Sequence, residues 1–133
     1  MVLAPPEIAR RLRTPSDLAR EVLIDVTSRR GGWEQWLTAA GVPGLRPRRR
    51  IGFDTVPAAL AAAARGRGVT LALDPIVRDS ARALGLVDPF GLRMPSASCY
   101  YLVHAPENGA RPEISTFVMW MRAELSDFMR NRR

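Results

Sequence analysis

The sequence contains no lysine. All 20 basic residues are arginine, against 13 acidic ones, for a formal net charge of +7. Such a charge points either to recognition of phosphate, nucleic acid or carboxylate, or to a coding bias that also enriches alanine, proline and glycine. The arginines are spread from Arg10 to the tail, and no nucleic-acid-binding motif accompanies them. Specific DNA contact by this chain itself is therefore not expected. A single cysteine, Cys99, excludes an internal disulfide. The longest apolar run, Val56 to Ala64, falls well short of the roughly 20 residues that cross a bilayer. No basic start followed by an apolar stretch opens the chain, so no signal peptide is expected and a cytoplasmic location is.

Catalytic residues are scarce too. His104 is the only histidine. On the strand predicted around it, Cys99 faces the opposite side, so the two do not form a dyad. His/Cys pairs at metal-ligand spacing are missing. "GRGVTL" lacks the third glycine of a dinucleotide loop, and no glycine-rich phosphate loop carries a lysine. No enzyme, metal or cofactor is expected.

At 133 residues and 47% apolar, the chain can bury one core. After an irregular start, Thr14-Pro15-Ser16-Asp17-Leu18 reads as a helix beginning with a hydroxyl cap and an early proline. Val22 to Val26 reads as a strand. Trp33, Trp36, Leu37 and Ala40 recur at helical spacing until Gly41. Strands are predicted over 48–53 and 69–73, with an alanine helix over 55–65 between them. A helix over 75–84, a short edge strand at Leu86-Val87, a strand over 99–104 and a long helix from Pro112 to about Arg130 complete the chain. This alternation predicts an α/β fold, an open and mostly parallel sheet with helices on both faces. In "RPRRR", Arg48 and Arg50 share one strand face, and the run reads as a charged edge strand protected from aggregation.

The junction Phe53-Asp54-Thr55 stands out, because ligands of open parallel sheets bind where strands end and helices begin. Asp54 or Thr55 can cap the following helix, whose first free N–H groups attract anions. Packing and capping alone would also explain these three residues.

Five segments, "PPEIARRLRTPSDLAREVLI", "GWEQWLTAAGV", "FDTVPAALAAAARGRGVTLAL", "LGLVDPF" and "YYLVHAPENGARPEISTFVMWMRAEL", together resemble the effector-binding region of LysR-type transcriptional regulators in order and spacing. The tryptophan helix and the Tyr-Tyr strand look most like the glycine-cleavage-activator branch. The resemblance implies a periplasmic-binding-protein-like (type II) fold of two lobes. It also implies that a small-molecule effector, a small metabolite such as an amino acid or carboxylate, binds between the lobes and biases an oligomer on DNA. Carried onto this sequence, the cleft positions are Asp25, Thr27 and Ser28, then Phe53, Asp54 and Thr55, then Asp74 in the loop Asp74-Pro75. Asp54 suits an anion poorly and is expected to cap or to meet an amino group.

The resemblance begins where the family's chain enters its second lobe and does not include the family's winged helix-turn-helix. Residues 1–104 are then expected to form that lobe with its return strand, and 105–133 a helix that packs on the first lobe. Ile114, Phe117, Val118, Met121, Leu125 and Phe128 make one apolar helical face, flanked by Trp120. Covering such a face is worth roughly 1.5–3 kcal/mol per large side chain, so self-association, or pairing with a full-length regulator, is expected through it. Half a cleft also implies weak or absent effector binding by this chain alone. An effector-sensing module of a regulator is the first reading. A stand-alone interaction protein and a solute-binding protein of the same fold are the alternatives.

Overall fold

The computed structural model describes residues 1–29, 31–74, 76–95, 101–109 and 111–130, with the side chains of 128–130 excepted. The chain divides into two compact units, Met1–Pro95 and Ser96–Arg133.

The first unit is built on a four-stranded sheet. Its strands are β1 (Val2–Leu3), β2 (Val22–Val26), β3 (Arg49–Phe53) and β4 (Val69–Leu71), arranged in the order β1-β4-β2-β3. β2 pairs in parallel with both β3 and β4, and β1 runs antiparallel to β4. The sheet is thus mostly parallel, as the alternation predicts, but the stretch expected to be an irregular start supplies a strand. Val2 and Leu3 are buried, and a two-residue strand is too short to show periodicity.

Alternation along β2 divides the core. Leu23 and Val69 face a cluster with Trp33, Trp36 and Leu37 of helix α2 (Gly32–Ala39). Ile24 and Val26 face Ala59, Leu60, Ala62 and Ala63 of α3 (Val56–Ala64). Helices therefore cover both faces, α1 (Pro6–Ala9) adding Ile8 on the α2 side. The Trp33 indole N–H donates to the Ile24 carbonyl at 3.0 Å, so a large ring is buried without an orphaned donor. Trp36 packs edge-on against Trp33 and tilts onto Phe90, with ring centroids 6.1 and 5.4 Å apart. Apart from Leu60, the α3 residues buried against the sheet are alanines, each contributing a single methyl group.

Gly68 shows a comparable economy of space. A Cβ there would lie 2.3 Å from the Val22 carbonyl oxygen, so only glycine lets the chain enter β4 beside β2.

Several boundaries differ from expectation. The 14–20 helix is a 3₁₀ helix, Pro15–Arg20. Asp17 Oδ2 reaches back to accept from the Arg13 and Thr14 N–H groups at 2.9 and 2.8 Å. β4 ends at Leu71, and helix α4 (Arg78–Ala83) starts later than predicted. Val87 forms a single antiparallel bridge to Ala4 rather than a strand. Of the predicted 99–104 strand, 101–104 are without regular structure and Cys99 and Tyr100 lie outside the described residues.

The second unit is dominated by α5 (Pro112–Arg130), preceded by a 3₁₀ turn at Pro106–Asn108. Ile114, Val118 and Met121 are half-buried, while Phe117 and Leu125 are exposed. The side chain of Phe128 lies outside the described residues.

Candidate functional site

The parallel strands β2 and β3 end together, with Val26 opposite Phe53. The Thr27 N–H then donates to the Phe53 carbonyl at 2.8 Å, tying the two exit loops side by side. Thr27, Ser28, Asp54 and Thr55 are all exposed along this rim. Gly52 leaves room for the Thr27 side chain, whose Cγ2 would lie 3.1 Å from a Cβ at that position.

Thr55 adopts extended backbone angles and its hydroxyl accepts from the Ala58 N–H at 3.4 Å. It is therefore the cap of α3. Of the two residues that the sequence offered as caps, Asp54 does not serve, and its carboxylate has no hydrogen bond or ion pair among the described residues. Phe53 is half-buried against the α3-side core, which fixes the level of the rim above the sheet.

The other two carboxylates proposed from the sequence are already engaged. Asp25 lies on the same face of β2 as Leu23, towards α2. Its Oδ2 is 3.7 Å from Arg50 Nη1, which also meets Glu34 of α2 at 2.6 Å. Burial raises the Asp25 pKa above the ordinary carboxylate value, the Arg50 guanidinium opposes that rise and Glu34 adds to it. Asp74 is held more firmly. Arg78 grips it with two hydrogen bonds of 2.8 and 2.6 Å, and Arg93 pairs with the same carboxylate. The Asp74 side chain is only 13% exposed. It pins α4 and the 88–95 segment to the exit of β4.

The rim therefore offers three hydroxyls, the N-terminus of a nine-residue helix, one aromatic edge and one unengaged carboxylate. Such a set can hydrogen-bond a small polar ligand. It contains no nucleophile paired with a base. Among the described residues no group of three or more His, Cys, Asp or Glu converges as a metal site. No helix there is long and apolar enough to cross a membrane.

Sequence reasoning missed Arg50, Glu34, Arg78 and Arg93 as the partners that hold these carboxylates. The Asp74–Arg78 pair sits at i,i+4 and was legible at that spacing. The Asp25–Arg50 and Asp74–Arg93 pairs join residues far apart in the chain, and only the fold brings them together. Arg50 also shows that the edge strand β3 does more than expose charge to solvent.

Known proteins share this architecture. The profile of the LysR substrate binding domain matches residues 1–126. The HTH-type transcriptional activator AmpR of Pseudomonas aeruginosa is 33% identical over 121 residues, covering 90% of this chain and 40% of that protein. The glycine cleavage system transcriptional activator of Escherichia coli K12 is 30% identical over 113 residues, 85% of this chain and 37% of that protein. The chain thus spans about two-fifths of the length of these curated relatives. Among solved structures, the effector domain of Pseudomonas aeruginosa AmpR superposes with a TM-score of 0.59 at 37% identity, over 68% of this chain and 43% of that one. The Citrobacter freundii AmpR effector-binding domain shares the fold, with a TM-score of 0.79 over 95% of this chain and 62% of that one, at 24% identity. The family is a binding domain of transcriptional regulators rather than an enzyme, and this chain belongs to it: a LysR substrate-binding domain.

Proposed function

We propose that this chain is the effector-sensing part of a LysR-type regulator of transcription, working in the cytoplasm, and that its ligand contacts the rim of Thr27, Ser28, Phe53, Asp54 and Thr55. The observation that carries the reading is the joining of two parallel strand ends beside the capped N-terminus of α3. Ligands of open α/β sheets collect at such ends. A small carboxylate or amino acid fits best: the helix N-terminus and hydroxyls receive its carboxylate, and Asp54 is available to its amino group. On this reading Asp25 and Asp74 are positioning residues, because their carboxylates already carry arginine partners.

Amide NMR of the labelled chain, titrated with a panel of amino acids and small carboxylates, tests this. Shifts are expected at Thr27, Ser28, Asp54 and Thr55, and Thr55→Ala should weaken them severalfold. A compound that binds and moves amides elsewhere in the sheet-containing unit while leaving those four unmoved overturns the assignment of the rim.

The apolar face of α5 supports a second element of the proposal. Ile114, Phe117, Val118, Met121 and Leu125 follow one another at helical spacing, and Phe117 and Leu125 are exposed. A face of this kind suits a further protein surface, in the regulator's own oligomer or in a paired full-length regulator. DNA would be contacted by a separate helix-turn-helix domain.

A further inference from the structure

The amino ends of the strands hold a second concavity, at the opposite end of the sheet from the rim. Val22 to Val26 separates the two by about 13 Å, at roughly 3.3 Å per residue. The pocket has a volume of about 380 Å³ and is lined by Arg11, Arg20, Arg48 and Arg67 together with Asp17 and Glu21.

The two acids offset only two of the four arginines. Glu21 is 7% exposed, and its two carboxylate oxygens are taken by Arg11 at 2.6 and 3.0 Å. Asp17 is occupied by the Arg13 and Thr14 main chain and by the Thr14 hydroxyl, and Arg20 is its nearby cation. The Arg48 and Arg67 side chains have no ion pair among the described residues. Their main chains are nevertheless fixed, because the Arg48 N–H donates to the Glu21 carbonyl and the Arg67 N–H to the Ala62 carbonyl, each at 3.1 Å. Two unengaged guanidinium groups are thus carried on anchored backbone at one concave surface.

Helix dipoles explain part of the arrangement. Arg11, Arg20 and Arg67 follow or close the C-terminal ends of helical segments, where cations are favoured. That effect accounts for single arginines in solvent. It does not account for Arg48, which precedes a strand, or for the concavity itself, which Ile8, Val22, Gly66 and Gly68 also line. Guanidinium groups recognise phosphate through paired N–H donors, and the volume is within the range of small-ligand sites.

We propose that this pocket is a binding site for a small phosphate-bearing ligand, its phosphate held between Arg48 and Arg67 beside the half-buried Val22.

The test is an amide NMR titration of the labelled chain with inorganic pyrophosphate, with sodium chloride of matched ionic strength as reference. Saturable shifts at Val22, Arg48, Arg67 and Gly68 are expected. The double variant Arg48→Gln/Arg67→Gln should bind at least tenfold more weakly while keeping its spectrum elsewhere. A control variant, Arg46→Gln/Arg65→Gln, lies outside the pocket and should bind as the parent does. Linear shifts that do not saturate, equal binding by the double variant, or equal losses in both variants would show general counter-ion attraction and overturn the proposal.

Discussion

Asp25 illustrates how one side chain is pulled in opposite directions. Burial favours its neutral form, while Arg50 at 3.7 Å favours the charged form, and burial is the larger effect. A carboxyl whose folded pKa lies above its unfolded value binds protons more tightly in the native state. Its ionisation therefore removes stability as pH rises from the unfolded pKa through the folded one. Asp25→Asn is expected to be neutral or slightly stabilising at pH 7, with the difference vanishing below about pH 3.5, under the ordinary Asp value. Thermal unfolding at the two pH values measures this. A variant less stable by more than about 1 kcal/mol at pH 7 would mean that the Arg50 pair dominates. Among the rim residues, chemical type was legible: a hydroxyl or acid at a strand-to-helix junction reads as a cap. Which one caps was not, because Asp54 and Thr55 are adjacent and either suits the role.

At the scale of elements, close approach and cross-linking decide. β2 and β4 run side by side only because Gly68 has no side chain. Gly68→Ala should cost several kcal/mol, since the clash is with backbone that cannot rotate away. Urea unfolding measures it, and a loss under about 1 kcal/mol would mean that the loop shifts easily. Asp74 joins α4 to the 88–95 segment through Arg78 and Arg93. Asp74→Asn removes the carboxylate that Arg78 and Arg93 share and should cost about 1.5–3 kcal/mol, the scale of hydrogen bonds to charged groups. Faster hydrogen exchange in α4 and around Phe90 is the expected local signature. Exchange unchanged there would show that the hydrophobic contacts of Val77 and Phe90 suffice.

For the whole molecule, the question is what covers α5. Phe117 and Trp120 have ring centroids 5.6 Å apart and both are exposed, as is Leu125. Exposed aromatic clusters of this kind mark interaction surfaces. Sedimentation is expected to show concentration-dependent association of the chain, and Phe117→Glu/Leu125→Glu should abolish it without lowering the unfolding temperature of the sheet-containing unit. A parent chain that stays monomeric at high concentration would remove self-association through this face.

The amino-acid sequence by itself determined the local periodicities. The alanine run of α3, the β-branched run of β2, the tryptophan spacing of α2 and the apolar stripe of α5 each specify one element, because side-chain spacing maps directly onto helix or strand geometry. Their alternation specified the α/β class, and five ordered segments specified the family. Tertiary structure alone decided the rest. β1 is a strand because β4 offers it an edge, as Val2 and Leu3 are too few to form one unaided. Asp25 and Asp74 lost their availability to Arg50 and Arg93, which the fold delivers from distant positions. The arginine pocket exists because four arginines separate in sequence meet where the strands begin. Periodicity acts over a few residues, whereas an ion pair or a pocket depends on distances across the sheet, which no local pattern encodes.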